Sequence, residues 1–444
     1  MSTTPAATPV WVRPDRPFVT STTAFPVCAI LTFPLVAAFV LLAAPRLAAL
    51  EHRSMPVLVA NHLVTLGWGT MVAMGALHQL LPAAAGVRRD PGKEVWVHFA
   101  LHTLGVVLMS VGFWIRQVEM ISMGGLAVVA GVAILLTTAA STLRRRTRWL
   151  PSLTYITVAL VCLGGVTAWG FTLAANWHHM FWTDLLLPMG LVVHLALGLV
   201  GWFGLLVTGV SYYLLTRFTA IKTLDGMRPR AIFAVMTAAV IAMVLGAFAG
   251  PALMRVGLLA LAAAGLLYAA DIHRFTRAQR TEAPDITIAH WRIIAGETVL
   301  LSLGAGAYAL GLLPGDATRW VVAGVSLFLL GWVTLAITGQ AYKVTPFLMW
   351  YYRYRLGMPA LEIPRLPAPY WPAWGSVQMI LLTAGGLGVS LGVVAGEPWV
   401  SAAGGAAFFA GACLFAYLLG YSWLPRLVRS EPGRTTKGLP MPPG

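Results

Sequence analysis

The chain has 444 residues, of which 58% are hydrophobic and 10% are charged, and its mean hydropathy is +0.78. This composition excludes an ordinary soluble protein and predicts an integral membrane protein, with its length divided among spans of about 20 residues. The net charge of +15 would also suit nucleic-acid binding, so its distribution along the chain decides its meaning.

Twelve apolar runs bounded by charged residues, proline or glycine predict an all-α fold with about twelve transmembrane helices. They lie near residues 25–46, 57–84, 95–116, 119–141, 150–174, 183–216, 230–250, 251–271, 291–313, 318–344, 372–394 and 397–422. We therefore expect a short N-terminal tail (1–24), one membrane domain (25–422) and a C-terminal tail (423–444). The N-terminal stretch lacks the pattern of a secretory signal, so we expect no cleavage.

The basic clusters all fall on one side of the predicted membrane. They lie at residues 13–16, 88–93, 144–148, 217–230, 274–292, 343–355 and 426–437. By the positive-inside rule this side is the cytoplasm of a bacterial-type inner membrane, with both termini inside. Membrane orientation thus explains the positive charge, so we expect the lipid bilayer, and no nucleic acid, as a partner.

A fixed pattern recurs in the second, sixth and tenth spans. A Gly-Trp pair is followed by a glycine seven residues after the tryptophan and by a ring ten residues after it. The copies are Gly67-Trp68 with Gly75 and His78, Gly201-Trp202 with Gly209 and Tyr212, and Gly331-Trp332 with Gly339 and Tyr342. Since four spans separate successive copies, the pattern predicts three pseudo-equivalent four-helix groups. The alternative is a chance recurrence of glycine at close helix contacts.

Five histidines within the apolar runs are candidate metal or cofactor ligands, because a polar side chain in hydrocarbon needs a partner. His78, His98 and His102 lie at similar depth on the second and third spans, so they are candidates for one metal site. The alternative is a solvated vestibule or hydrogen bonding to the backbone. His62 lies about 24 Å from His78 along the helix and shares the opposite half of the membrane with His194.

The second and sixth spans resemble helices of the catalytic subunit of haem–copper oxidases, especially of nitric oxide reductases. NHLVTLGWGTMVAMGALHQLLP is similar to the low-spin-haem helix of the family, with His62 within one residue of the ligand position. VVHLALGLVGWFGLLVTGVSYYLL is similar to the helix whose Val-Val-His supplies a copper or iron ligand, with His194 at that position. The resemblance implies haem b, copper or both as cofactors, and respiratory-chain subunits or a cytochrome as partners. The alternative for each histidine is a buried hydrogen-bonding role.

The chain departs from that family in its ligand set. The adjacent histidines of the seventh span and the His-x-His of the tenth have no counterpart here, and Gly198 stands where nitric oxide reductases have a glutamate. The resemblance therefore implies a reduced ligand set, and it assigns no catalytic residue. A cofactor-free transporter or sensor and an accessory subunit are the alternatives, and whether the chain is an enzyme stays open.

Few other polar residues fall inside the spans. Glu297 lies early in the ninth, where it is either a proton-relay group or a carboxylate that snorkels or pairs with an arginine. His273 and His290 belong to the basic loop before that span, so we expect both to be solvated. Gln340, Tyr342 and Lys343 follow Gly339 of the third copy of the repeat and are expected at the cytoplasmic mouth.

Overall fold

A computed structural model describes residues 11–12, 19–179, 186–219, 221, 226–278, 285–351, 372–423 and 428–429. Within these ranges, twelve helices are long and apolar enough to cross a membrane, which confirms the predicted polytopic all-α fold. They are α1 (Ala24–Ala48), α2 (Met55–Ala85), α3 (Lys93–Ile115), α4 (Val118–Arg144), α5 (Pro151–Asn176), α6 (Pro188–Phe218), α7 (Met227–Ala249), α8 (Pro251–Arg277), α9 (Ile286–Ala309), α10 (Ala317–Trp350), α11 (Ala373–Ala395) and α12 (Pro398–Tyr421). Most of the two predicted tails lies outside the described residues.

The twelve helices form a closed ring in which each packs against the next and α12 packs against α1. Three of them are more buried than the rest. In α2, α6 and α10, 56%, 56% and 67% of the most apolar window is buried, against 28–44% in the other nine. These three, called here the central helices, are the ones that carry the repeat. Exposed apolar side chains of the outer helices, such as Leu35, Val161 and Leu303, face the lipid bilayer.

Each central helix contains a π-helical segment at its Gly-Trp pair. The segments are Leu63–Thr70 in α2, Ala196–Gly204 in α6 and Leu327–Val333 in α10. A π-helix has i→i+5 hydrogen bonds, and it usually occurs as single turns at functional sites. Its occurrence at the same place in three helices supports the division into three four-helix units: α1–α4, α5–α8 and α9–α12.

The second glycine of each repeat forms the same helix contact in each unit. It packs against the first helix of its own unit so closely that a Cβ atom would collide with a side chain there. The distances from that Cβ position would be 2.8 Å to Phe25 Cβ for Gly75, 2.4 Å to Tyr155 Cβ for Gly209, and 2.6 Å to His290 Cβ for Gly339. The three units therefore share this helix contact as well as the sequence pattern of their central helices.

The two ends of the described chain meet on one side of the ring. The short strands β1 (Trp11–Val12) and β2 (Val428–Arg429) pair antiparallel, with Trp11 opposite Arg429. The twelve spans of the described residues, an even number, place both ends on the same side of the membrane. We call this side, on which the basic clusters lie, the basic side.

Candidate functional site: buried histidines and a carboxylate beside the central helices

His62 lies on α2, directly before the π segment. Its Nδ1 is 2.8 Å from the carbonyl oxygen of Leu58. Because a carbonyl only accepts, Nδ1 carries the proton and Nε2 keeps a lone pair. The ring stacks on Phe113 of α3, with centroids 4.7 Å apart. Metal-ligating histidines are typically oriented in this way, with the second ring nitrogen free for the metal.

His194 lies on α6, two residues before its π segment, and hydrogen-bonds to the backbone of Val166 in α5. Its Nδ1 is buried and has no hydrogen-bond partner among the described residues. Gly170 makes room for the ring, since a Cβ there would lie 2.8 Å from His194 Cε1. The structure thus places each of these two histidines at the start of a π segment of a central helix, packed against a neighbouring helix of its own unit.

His78 and His98 form a second pair, in the half of the membrane nearer the basic side. Nε2 of His78 is 3.0 Å from Nδ1 of His98, so one ring donates a hydrogen bond to the other. The ring of Phe25 packs against His98 at 4.8 Å. His98 is fully buried, and its Nε2 has no partner within the described ranges.

His102 lies one turn from His98 but contacts a different group. Its Nε2 is 3.1 Å from the carbonyl oxygen of Leu66, in the π segment of α2, and its ring centroid is 6.3 Å from that of His98. A metal held by three imidazoles requires nitrogen atoms that face one point at about 2 Å. In the part of the chain that the structure describes, no three His, Cys, Asp or Glu side chains form such a group. A metal at His78, His98 and His102 stays a prediction, for which the structure brings two of the rings together.

His290 was missed by the sequence analysis, and the expectation that it is solvated is wrong: its exposure is 0%. The helix begins at Ile286 rather than near residue 291, because Asp285 caps it by accepting from the N–H of Thr287 at 3.0 Å. His290 therefore lies inside the bundle, against Gly339 of α10. Its Nδ1 donates to the Ile286 carbonyl at 2.8 Å, and its Nε2 has no partner among the described residues. His273, by contrast, is exposed as expected.

Glu297 lies two turns beyond His290 on α9, and it is 5% exposed. Neither carboxylate oxygen has a hydrogen-bond partner in the described part of the chain. The carboxylate packs on the π segment of α10, where a Cβ at Gly331 would lie 2.6 Å from its Oε1. The interpretation of Glu297 as a snorkelling or arginine-paired residue is therefore wrong.

Two glutamines add to the buried polar groups of the third unit. Gln378 of α11 is fully buried, and its Oε1 accepts from the hydroxyl of Tyr342 at 2.8 Å. Its Nε2 and both polar atoms of the Gln340 side chain have no partner among the described residues. The sequence does contain a sign of Gln378, because a glutamine within an apolar span needs a polar partner. That sign concerns one residue and does not show that several buried polar side chains lie in the same unit.

A pocket lined by three arginines, called here the basic pocket, lies at the membrane surface opposite the basic side. Its volume is about 450 Å³, and its walls are Arg46, Arg53, Ser54, Met55, Pro56, Trp114 and Arg116. Arg46 also pairs with Glu51 at 3.0 Å. The arginines come from separate stretches of sequence, which is why no cluster was visible there. His62 follows Met55 by seven residues, so the pocket lies about 10 Å above it along α2.

No protein-family model matches the chain, and no curated protein matches it either.

Proposed function

We propose that the chain is a haem–copper-oxidase-like membrane protein that binds haem b, copper or both through His62 and His194. The observation that carries this proposal is the matching placement of these two imidazoles, one on α2 and one on α6, at the start of the π segments. Imidazole is a common ligand of both copper and haem iron. Such a group would supply one-electron transfer when bound.

Two further observations support this proposal. The backbone hydrogen bond of His62 leaves Nε2 as the ligand atom, and Nδ1 of His194 is buried without a partner among the described residues. The basic pocket at the start of α2 supplies three arginines on the same side of the membrane as His62. Arginine is well suited to bind carboxylates, and a haem carries two propionates.

The proposal also gives the protein a place in the cell. We assign the basic side to the cytoplasm of a bacterial-type inner membrane, with both termini inside, on the basis of the positive-inside rule. The expected role is in respiratory or nitrogen-oxide metabolism, with respiratory-chain subunits or a cytochrome as partners.

Spectroscopy and metal analysis of the purified protein test the proposal. In mild detergent, we expect a Soret band in the reduced-minus-oxidised spectrum, copper near one equivalent per chain, or both. His62→Ala and His194→Ala should each lower the bound haem or copper at least tenfold, because each removes one ligand. A wild-type protein with neither a Soret band nor stoichiometric copper would refute the proposal.

His273→Ala is the matched control, since His273 is an exposed histidine outside the candidate site. It should keep the wild-type metal or haem content. Thermal unfolding of all three variants separates loss of the ligand from loss of the fold.

A cofactor-free transporter or sensor is the second candidate, with an accessory subunit as a variant of it. The observation in its favour is that each of the two histidines already has a backbone partner, Leu58 for His62 and Val166 for His194, as a purely hydrogen-bonding role requires. This alternative expects that replacing His62 and His194 together leaves both the stability and the activity close to wild type. Co-purification with an oxidase complex would favour the accessory subunit.

A further inference from the structure

Glu297 lies near the middle of the membrane. It is the twelfth of the 24 residues of α9, so about 17 Å of helix separates it from each end. Both of its oxygens are buried and have no hydrogen-bond partner among the described residues. An ionisable residue at this depth is costly, and those that occur there usually belong to an ion or proton pathway.

The position of Glu297 is defined by the repeat. In the second unit, the two repeat glycines pack against Tyr155 and Cys162 of α5, and in the third unit they pack against His290 and Glu297 of α9. In both units the two contact residues are seven positions apart. The hydroxyl of Tyr155 donates to the carbonyl of Pro229 at 2.7 Å, so this position in the second unit is satisfied. In the third unit, the same two positions hold an imidazole and a carboxylate with unpartnered atoms.

No described charge neutralises Glu297. The helices packed against α9 are α8, α10 and α11. Their titratable or charged residues, with those of α9 itself, are Arg255, Tyr268, Asp271, His273, Arg274 and Arg277 on α8, Tyr342, Lys343 and Arg319 on α10, His290, Arg292 and Tyr308 on α9, and none on α11 (373–395). None of these forms an ion pair or a hydrogen bond with Glu297. A carboxylate anion that is buried without a partner loses its hydration and gains nothing in return, so the group favours the neutral, protonated form.

His290 lies between Glu297 and the basic side. Close to that surface, Asp285 forms an ion pair with Lys343 at the start of α9. His290 follows one turn deeper, with Nε2 free to accept or donate a proton, and Glu297 follows about 10 Å deeper on the same helix. Buried polar atoms of Gln340 without described partners lie on α10, next to the glycine that contacts His290.

We propose that Glu297 is a proton-exchange site near the middle of the membrane, loaded from the basic side by way of His290. The carboxylate binds one proton to become a neutral carboxylic acid and releases it again, with no other bond formed or broken. This function is independent of any metal at His62 and His194, because it belongs to a different unit and uses other residues.

Infrared spectroscopy and carbodiimide labelling of the full chain in detergent test the site. A protonated Glu297 should give a carboxylic C=O band that is present at neutral pH, shifts in D₂O and disappears in Glu297→Gln. Dicyclohexylcarbodiimide adds to protonated carboxyl groups in apolar surroundings, so mass spectrometry should find the adduct on Glu297. Glu119→Gln, which changes an exposed carboxylate, should keep both signals.

The role of His290 is tested by exchange kinetics. His290→Tyr and His290→Phe place in this position the residue types found there in the second and first units, Tyr155 and Phe25. Both should leave the C=O band in place but slow its shift in D₂O at least tenfold. An unchanged rate in whichever variant folds would overturn the role of His290.

Two results would overturn the site itself. The first is that the wild-type protein shows neither the C=O band nor the adduct, or that Glu297→Gln changes neither signal. The other is labelling that NaCl suppresses while KCl at equal ionic strength does not, which would make Glu297 a sodium site. A metal-free protein that still shows the band would refute the proposed function and leave this inference standing.

Discussion

At the scale of single residues, the tightest packing of the bundle depends on glycines that admit no side chain. A Cβ at Gly209 would lie 2.4 Å from Tyr155 Cβ and 3.2 Å from the backbone oxygen of Ser152. Both neighbours belong to α5, so they can move only if the helix moves. We predict that Gly209→Ala lowers the free energy of unfolding by about 1–3 kcal/mol, as overpacking does in well-packed interiors.

Gly304→Ala is the control for this prediction. Gly304 lies in α9 and has open space at its Cβ position. Alanine is the better helix former, so this variant should be neutral or up to about 1 kcal/mol more stable. The stability of both variants is measured by thermal unfolding in detergent, with the fraction of protein that stays monodisperse as the signal. Equal losses in the two variants would contradict the packing argument.

The residue scale also shows what the sequence can and cannot predict. The repeat spacing identified Gly75, Gly209 and Gly339 as equivalent positions, and the structure gives all three the same close contact with a neighbouring helix. It did not identify His290 or Glu297 as a pair, because each was interpreted from its local surroundings. Both side chains pack against glycines of α10, some 40 residues further along the chain. Only the fold brings α10 next to them.

At the scale of elements, the central helices are joined by a hydrogen bond between units. Nε1 of Trp202, in α6, donates to Oγ1 of Thr70, in α2, at 3.0 Å. Both are buried, so losing the donor leaves the hydroxyl without this partner. We predict that Trp202→Phe lowers the free energy of unfolding by about 0.5–2 kcal/mol, the range expected for such bonds between membrane helices.

Trp68→Phe provides the comparison within the repeat. The indole of Trp68 stacks on Phe33 at 3.9 Å, and its Nε1 has no partner among the described residues. Phenylalanine keeps an aromatic contact and removes an unsatisfied donor, so the change should cost less than Trp202→Phe or nothing. Chemical unfolding of both variants in the same detergent makes the comparison. A larger loss for Trp68→Phe would show that ring size, not the hydrogen bond, determines the stability.

The elements themselves were largely predictable. Hydrophobicity and span length identified all twelve helices, since the membrane imposes one length on each. Two features were not predictable from this pattern. The first is the π segments, because a π turn changes the hydrogen-bond register of the backbone without changing the hydrophobicity of the sequence. The second is the start of α9, because capping by Asp285 extends the helix to residues that precede its apolar run.

At the scale of the whole molecule, the closed ring explains why the candidate sites lie where they do. The central helices meet inside the ring, as the hydrogen bond between Trp202 and Thr70 and the contact of the π segments of α2 and α10 show. His62 and His194 lie beside the π segments of the first and second units, whereas Glu297 lies beside that of the third. The positions of His62 and His194 were expected from the resemblance of their helices to those of haem–copper oxidases, whereas nothing in the sequence indicated that Glu297 is buried without a partner among the described residues.

The orientation of the ring leads to a prediction about topology. Twelve crossings place both termini on one side, and the pairing of β1 with β2 joins the two terminal segments. The loops on that side carry the basic clusters, which resist translocation across an energised membrane. We predict that alkaline phosphatase fused after residue 90, 222 or 280 is inactive in a bacterial host, whereas fusions after residue 51 or 313 are active.

Green fluorescent protein at the C-terminus gives the complementary signal, because it fluoresces only when it folds in the cytoplasm. We expect the full-length fusion to be fluorescent. Replacing the arginines at 144–146 and 148 by glutamine should weaken the preference of the first unit for the orientation with its loops of the basic side in the cytoplasm. The reason is that the replacement removes four positive charges from one loop. Arg46, Arg53 and Arg116 lie on the other side and oppose that preference, so their replacement should instead strengthen it. Active phosphatase after residue 90 or 280 in the unmodified chain would reverse the assigned orientation, and with it the side from which Glu297 is proposed to be loaded.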